Sequence, residues 1–316
     1  MSISPAARSA CFRPHEFALP RAVSPRAGLP TCDPRSGSGP RRLTGGAALD
    51  TLDRADTLFR TRVVAIVSIR ITREQIESIR YHTHQPTLVE AMQRLDPNRF
   101  RGLGPERTRA FVRHGWETAQ RLGLLYVNDA GYVLFLMTFL GSHFLDDFRH
   151  ADLARILQEP DPRDPPGLDT RIRRAREAFI AFGDRRIGPK ATIYRADVGR
   201  FSAWLARTDK LAADELLAVL PRCHEGMQVH LTEPQKWILL AEAQASADAL
   251  GLDQEDGDAT ALALRWWLGV RFEADPLYPW VRDVTSRESQ PEARTRALRD
   301  YAMRRLSTVM RGRADV

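Results

Sequence analysis

Four side chains able to ligate a divalent cation or move a proton are clustered in one stretch: His143, Asp146, Asp147 and His150. They fall at i, i+3, i+4 and i+7, which puts all four on one face if the helix is continuous. Imidazole nitrogens and carboxylates in that order can hold a metal ion, and Asp147-x-x-His150 has the spacing of the Glu-x-x-His element in carboxylate-bridged iron sites. Such sites complete their ligand set from other helices. His82 and His84, a His-x-His pair, and His114 are the available partners. The chemistry would be that of a metal-dependent enzyme.

An internal echo argues against it. The stretch Leu140-Gly141-Ser142-His143-Phe144-Leu145-Asp146-Asp147 returns as Leu268-Gly269-Val270-Arg271-Phe272-Glu273-Ala274-Asp275, at an offset of 128 residues. The offset holds without a gap back to Leu103 and Leu231, with 11 identities in the 54 positions from Leu103 to Ile156. They are mainly apolar residues and glycines at fixed spacing, which a duplicated fold retains. The counterparts of the four candidate ligands are Arg271, Ala274, Asp275 and Tyr278. Three of the four are lost while the Leu-Gly-x-x-Phe frame stays. The fold therefore does not require the histidines, and the retained Asp147/Asp275 reads as a cap. No catalytic, cofactor-binding or metal-binding residue is assigned, no cofactor is expected, and a non-enzymatic protein is expected.

Other constellations are weaker. Cys223-His224 are sequence neighbours and lack the geometry of a nucleophile and its base. Gly102-Leu103-Gly104 follows no strand and so lacks the setting of a phosphate loop. The acidic run from Asp253 to Asp258 misses the calcium-loop pattern. Trp237, Trp266, Trp267 and Trp280 are expected in the core or at a domain interface, and the methionines are scattered.

Composition narrows the classes further. The chain has 316 residues with 43% hydrophobic and 28% charged residues, enough for a substantial core and two domains. Its longest apolar run, Tyr132 to Met137, is far short of the roughly 20 residues of a membrane helix. Net charge is +7, yet residues 1–66 hold ten arginines and five acidic residues, so most of the excess lies outside the duplicated region. A nucleic-acid surface is not expected. The three cysteines, Cys11, Cys32 and Cys223, are odd in number and have no metal-ligand spacing. A reducing, cytoplasmic setting is the expectation.

The elements that would carry these residues are helical throughout. Residues 1–66, rich in Pro, Gly, Arg and Ser, are expected to be a disordered tail, and Val67 is a candidate alternative start. Val63–Ile69 is the single β-like run. Thr72-Arg73-Glu74-Gln75 fits a capping box opening a helix that Pro86 interrupts. Pro105 and Gly123 bound the next helix, and a buried one follows over about 129–141. A proline-rich break at 159–168 precedes a charged helix over about 169–182. Further helices are expected near 197–207, 212–220, 233–250, 257–270 and 291–311; Asp275-Pro276 suits an N-cap followed by a first-position proline, and Pro279-Trp280 begins a short segment. The class is all-α: a tail at 1–66, helical repeat one at 67–158, a break and connecting helix at 159–195, and repeat two at 196–316.

The frame also resembles a known family. The residues are Leu103-Gly104-x-Glu106, Arg113-x-Gly115, Ala119-x-x-x-Gly123 and Leu136-Met137-x-x-Leu140-Gly141-x-x-Phe144-x-x-Asp147. In these small helical proteins of unknown function, encoded beside type VI secretion spike-tip and effector genes, Leu-Gly-x-x-Phe is followed by Asp-Pro and Pro-Trp. Repeat two is similar at Leu268-Gly269, Phe272, Asp275-Pro276 and Pro279-Trp280. Repeat one departs at Phe148 and Asp152, and repeat two at Ala241 and Ala243. The resemblance implies an accessory, adaptor or immunity-like protein whose partner is a secretion effector or spike-tip protein. It implies no catalytic residues.

Overall fold

The computed structural model describes residues 72–310, apart from 125, 161, 163–169, 188–191, 208–212, 224–230 and 255. The expected tail at 1–66, the Val63–Ile69 run and most of the proline-rich break lie outside the described residues. The fold is all-α, with no strand among the described residues. From Ile79 onward the described residues belong to one compact unit.

Among the described residues eleven α-helices follow in order: α1 (Arg73–Leu95), α2 (Pro97–Arg121), α3 (Val127–Leu140), α4 (Ala151–Gln158), α5 (Arg171–Ile187), α6 (Thr192–Leu205), α7 (Ala213–Cys223), α8 (Glu233–Leu250), α9 (Asp256–Leu268), α10 (Trp280–Thr285) and α11 (Pro291–Met310). The expected capping box at α1 is present. Gln75 N–H donates to Thr72 Oγ1 at 3.2 Å, and Thr72 N–H donates to Gln75 Oε1 at 2.8 Å. Contrary to expectation, Pro86 does not interrupt this helix, which runs through it to Leu95. A proline removes one hydrogen bond of the ladder, and here the flanking turns hold without it.

The ends of α2 and α8 are built alike. The Gly104 backbone (φ 75°, ψ 169°) breaks α2, so its regular part starts at Pro105, which is the position of Glu233 at the start of α8. Both helices stop in a left-handed glycine, Gly123 at φ 69° and Gly251 at φ 63°. Leu124 N–H donates to Ala119 O at 2.9 Å and Gly123 N–H to Gln120 O at 2.9 Å. Leu252 to Ala247 and Gly251 to Asp248, both at 3.0 Å, repeat the pattern. These paired bonds are the Schellman stop, which satisfies carbonyls the helix end would leave bare.

The central helices α3 and α9 are the most buried. Val133, Leu134, Leu136 and Met137 in the first, and Ala261, Leu262, Ala263 and Leu264 in the second, are almost inaccessible. Apolar residues on all sides force such a helix inside. Gly115 lets α2 lie flush on α3, because a Cβ there would meet Leu134 Cδ2 at 2.2 Å. Around α9 the core gathers Phe201 and Trp204 from α6, Leu217 and Leu220 from α7, Leu239 from α8, Trp280 from α10 and Leu298 from α11. Trp266 and Trp280 are buried as expected, whereas Trp237 is 70% exposed.

Candidate functional site at the two Leu-Gly turns

The four candidate ligands do not share a helix face. α3 ends at Leu140, and two short 3-10 turns, Phe144–Asp146 and Phe148–His150, replace a continuous helix. Between them Asp147 is extended (φ −90°, ψ 114°), which breaks the i, i+3, i+4, i+7 alignment. Among the described residues, no group of three or more His, Cys, Asp or Glu side chains is arranged to hold a metal ion.

Asp146 is exposed, and the other three are engaged with neighbouring side chains. Asp147 is 1% exposed, and its Oδ1 accepts the Arg149 backbone N–H at 3.0 Å and the Arg149 Nε–H at 2.9 Å. Burial opposes the charge, but the Arg149 guanidinium outweighs it and holds this carboxyl down at about 2. His150 is buried with its ring edge-on to Phe182, the centroids 5.4 Å apart. Burial drops its pKa to about 3, despite the Asp147 carboxylate, so the imidazole is neutral. His143 stands beside His114, with ring centroids 5.1 Å apart. Burial lowers the His143 pKa, while Asp275 pulls it the other way. His82 and His84 lie elsewhere, one against Tyr81 and the other against Trp116.

The structure brings together the two echoes themselves. A Cβ on Gly141 would lie 2.9 Å from the Leu268 carbonyl oxygen, and one on Gly269 would lie 3.3 Å from the Leu140 carbonyl oxygen. The two turns meet in a reciprocal contact. Both glycines also have positive φ, 93° and 106°. Backbone conformation and close approach thus each require glycine at these two positions.

Carboxylates stitch the seam. Asp275 Oδ2 accepts the Ser142 N–H at 2.8 Å and its Oδ1 accepts the Ser142 hydroxyl at 2.5 Å, both across the two copies. In its own copy Asp275 Oδ1 accepts the Leu277 N–H at 2.8 Å, just as Asp147 Oδ1 accepts from Arg149. The shared aspartate is therefore a cap, but of a turn: Pro276 opens no helix, while the short segment expected from Pro279-Trp280 is helix α10. Burial raises the Asp275 pKa, against the hydrogen bonds from Ser142 and Leu277. Arg149 reaches over the seam to the Trp266 carbonyl and lies 5.1 Å from the Trp266 ring centroid. An exposed pair, Arg107 with Asp283 at 2.9 Å, also links the copies.

Sequence reasoning singled out the histidines and missed Ser142 and Arg149. Ser142 matches Val270 and Arg149 matches Leu277, so neither belongs to the repeated frame. Their link to it is through space. The fold is all-α among the described residues, and the seam joins the two echoing Leu-Gly turns. Compared with protein-family models, curated proteins and solved structures, the chain matches none. No helix among the described residues is long and apolar enough to cross a membrane.

Proposed function

We propose that this is a non-enzymatic interaction protein, accessory, adaptor or immunity-like, that acts in the cytoplasm on a product of a type VI secretion effector cluster. What supports the reading is how the repeated frame is used. Leu140-Gly141, Leu268-Gly269, Asp147 and Asp275 join and cap the two copies, and His150 is buried with its ring against Phe182. Of the residue types that could do chemistry, Asp147 and Asp275 are occupied in holding the scaffold. The resemblance of that frame supplies the genetic setting and the class of partner, an effector or spike-tip protein.

Co-expression with the products of the adjacent genes, followed by affinity purification, tests this reading. A stoichiometric complex with one of them is expected. Absence of a complex with any neighbouring product would sink it. So would a tightly bound transition metal that is lost on His143→Ala or His150→Ala.

A further inference from the structure

Helix α8 carries an apolar stripe on its exposed side. Its inward face buries Leu239, Ala243, Ser246, Ala247 and Leu250. Its outward face is also apolar: Trp237 is 70% and Ile238 51% exposed, followed by exposed Ala241, Ala245 and Ala249. These positions follow i, i+1, i+4, i+8 and i+12, one stripe on a helix. An exposed apolar stripe headed by a tryptophan, with Glu233, Glu242 and Asp248 exposed beside it, is the kind of surface that lies against a partner.

The duplication provides the control. At the matched positions α2 carries Arg109, Ala110, Arg113, Glu117 and Arg121, and the first four, with Gln85, Glu106 and His114, line a groove of about 380 Å³. The fold therefore accepts a charged face there, and the exposed tryptophan is particular to α8.

Charge identifies the partner. Residues 232–258 contain seven acidic residues against one lysine and no arginine, in a chain of net charge +7. Glu233, 74% exposed, pairs with Lys236, and Glu242, 48% exposed, with Arg265. Asp248, Asp253 and Asp258 gather at the C-terminal end of the helix, where burial and then the neighbouring carboxylates Asp248 and Asp253 raise the Asp258 pKa. Arg294, the cation at that end, bonds the Gly251 and Glu288 carbonyls. A second copy of this chain laid face to face would set acidic rim against acidic rim.

We propose that the Trp237–Ile238 face of α8 docks a basic amphipathic helix of the partner protein, with Trp237 as the anchor and the alanine stripe as the floor. This rests on the interaction role proposed above and names the surface that performs it. The full-length protein is titrated with a labelled Lys/Leu amphipathic helical peptide and, in parallel, a Glu/Leu peptide with the same apolar face. The Lys/Leu peptide binds about tenfold or more tightly than the Glu/Leu peptide, a margin that narrows with salt. Trp237→Ala weakens the Lys/Leu peptide by about tenfold or more with unchanged circular dichroism. Ala241→Arg, which leaves the tryptophan in place, does the same. Equal binding by both peptides, or by wild type and Trp237→Ala, overturns the proposal. So does a Trp237-dependent dimer in light scattering, which would make a second copy the occupant. If a neighbouring gene product co-purifies equally with wild type and Trp237→Ala, the interaction role stands and this surface assignment falls. If the peptide selectivity holds while no neighbouring product binds, the secretion setting falls instead.

Discussion

Replacing Gly141 by alanine tests the seam directly. Gly141 sits at φ 93°, ψ 152°, a region that is essentially glycine's own, and forcing a side chain into it costs about 1–3 kcal/mol. The new Cβ would also lie 2.9 Å from the Leu268 carbonyl oxygen. That atom is main chain held at the end of α9, so relief requires the copies to separate, adding roughly 1–2 kcal/mol. The sum, about 2–5 kcal/mol, corresponds to a fall in Tm of order 10 °C for a chain of this size. Gly269→Ala has a comparable φ of 106° but a looser contact of 3.3 Å, so about 1–3 kcal/mol is expected. Two controls separate the causes. Gly123, at φ 69° with nothing within 4 Å, reports the backbone cost alone, about 1–2 kcal/mol. Gly102 has neither positive φ nor a neighbour within 4 Å and should be neutral or slightly stabilised by alanine. Urea denaturation followed by circular dichroism ranks the four. The reasoning is refuted if Gly141→Ala costs no more than Gly123→Ala. The double variant Gly141→Ala/Gly269→Ala should lose less than the two single losses combined, because both open one gap.

Acid should loosen the protein through His150. Its folded pKa of about 3 lies below the unfolded value near 6.5, so its contribution is complete above pH 6.5 and is lost as pH falls toward 3. Between pH 6.5 and 4.5 that is about 2–3 kcal/mol, partly offset by Asp275, whose raised pKa has the opposite sign. His150→Tyr, the residue type at the matching position 278, should flatten Tm against pH across this range, and an unchanged acid limb would count against the assignment. Asp147→Ala leaves Arg149 buried beside the indole of Trp266 without its counter-charge, and about 3–5 kcal/mol of stability should go. A Tm within a degree or two of wild type would show the pair to be solvated. Arg107→Ala removes a pair whose side chains are 48% and 42% exposed, and the measured loss should stay below about 1 kcal/mol.

The legible part of this fold is what local chemistry controls. The box at Thr72, the limits of α8, the glycine stops at 123 and 251, and the burial of α3 and α9 all follow from residues within one or two turns. The misreadings came where a local pattern had two continuations. Pro86 stays inside α1, and Asp275-Pro276 caps a turn rather than opening a helix. The histidine spacing presupposed one helix where extended Asp147 separates two short turns. Periodicity cannot reveal such a break, because every residue in the stretch is compatible with a helix.

The seam shows why an echo in sequence locates a contact without describing it. Asp147 and Asp275 hold the same turn through the same backbone bond, and that shared duty explains why both copies have an aspartate there. Their remaining oxygen capacity is used differently: Asp147 binds Arg149 of its own copy, and Asp275 binds Ser142 of the other. Two identical units meeting about an axis would make each contact twice. Within one chain each side can change alone, so a serine can serve one aspartate and an arginine the other, reaching on to the Trp266 carbonyl. The same freedom accounts for the two outward faces, charged on α2 and apolar on α8, since only one copy then has to carry a binding surface.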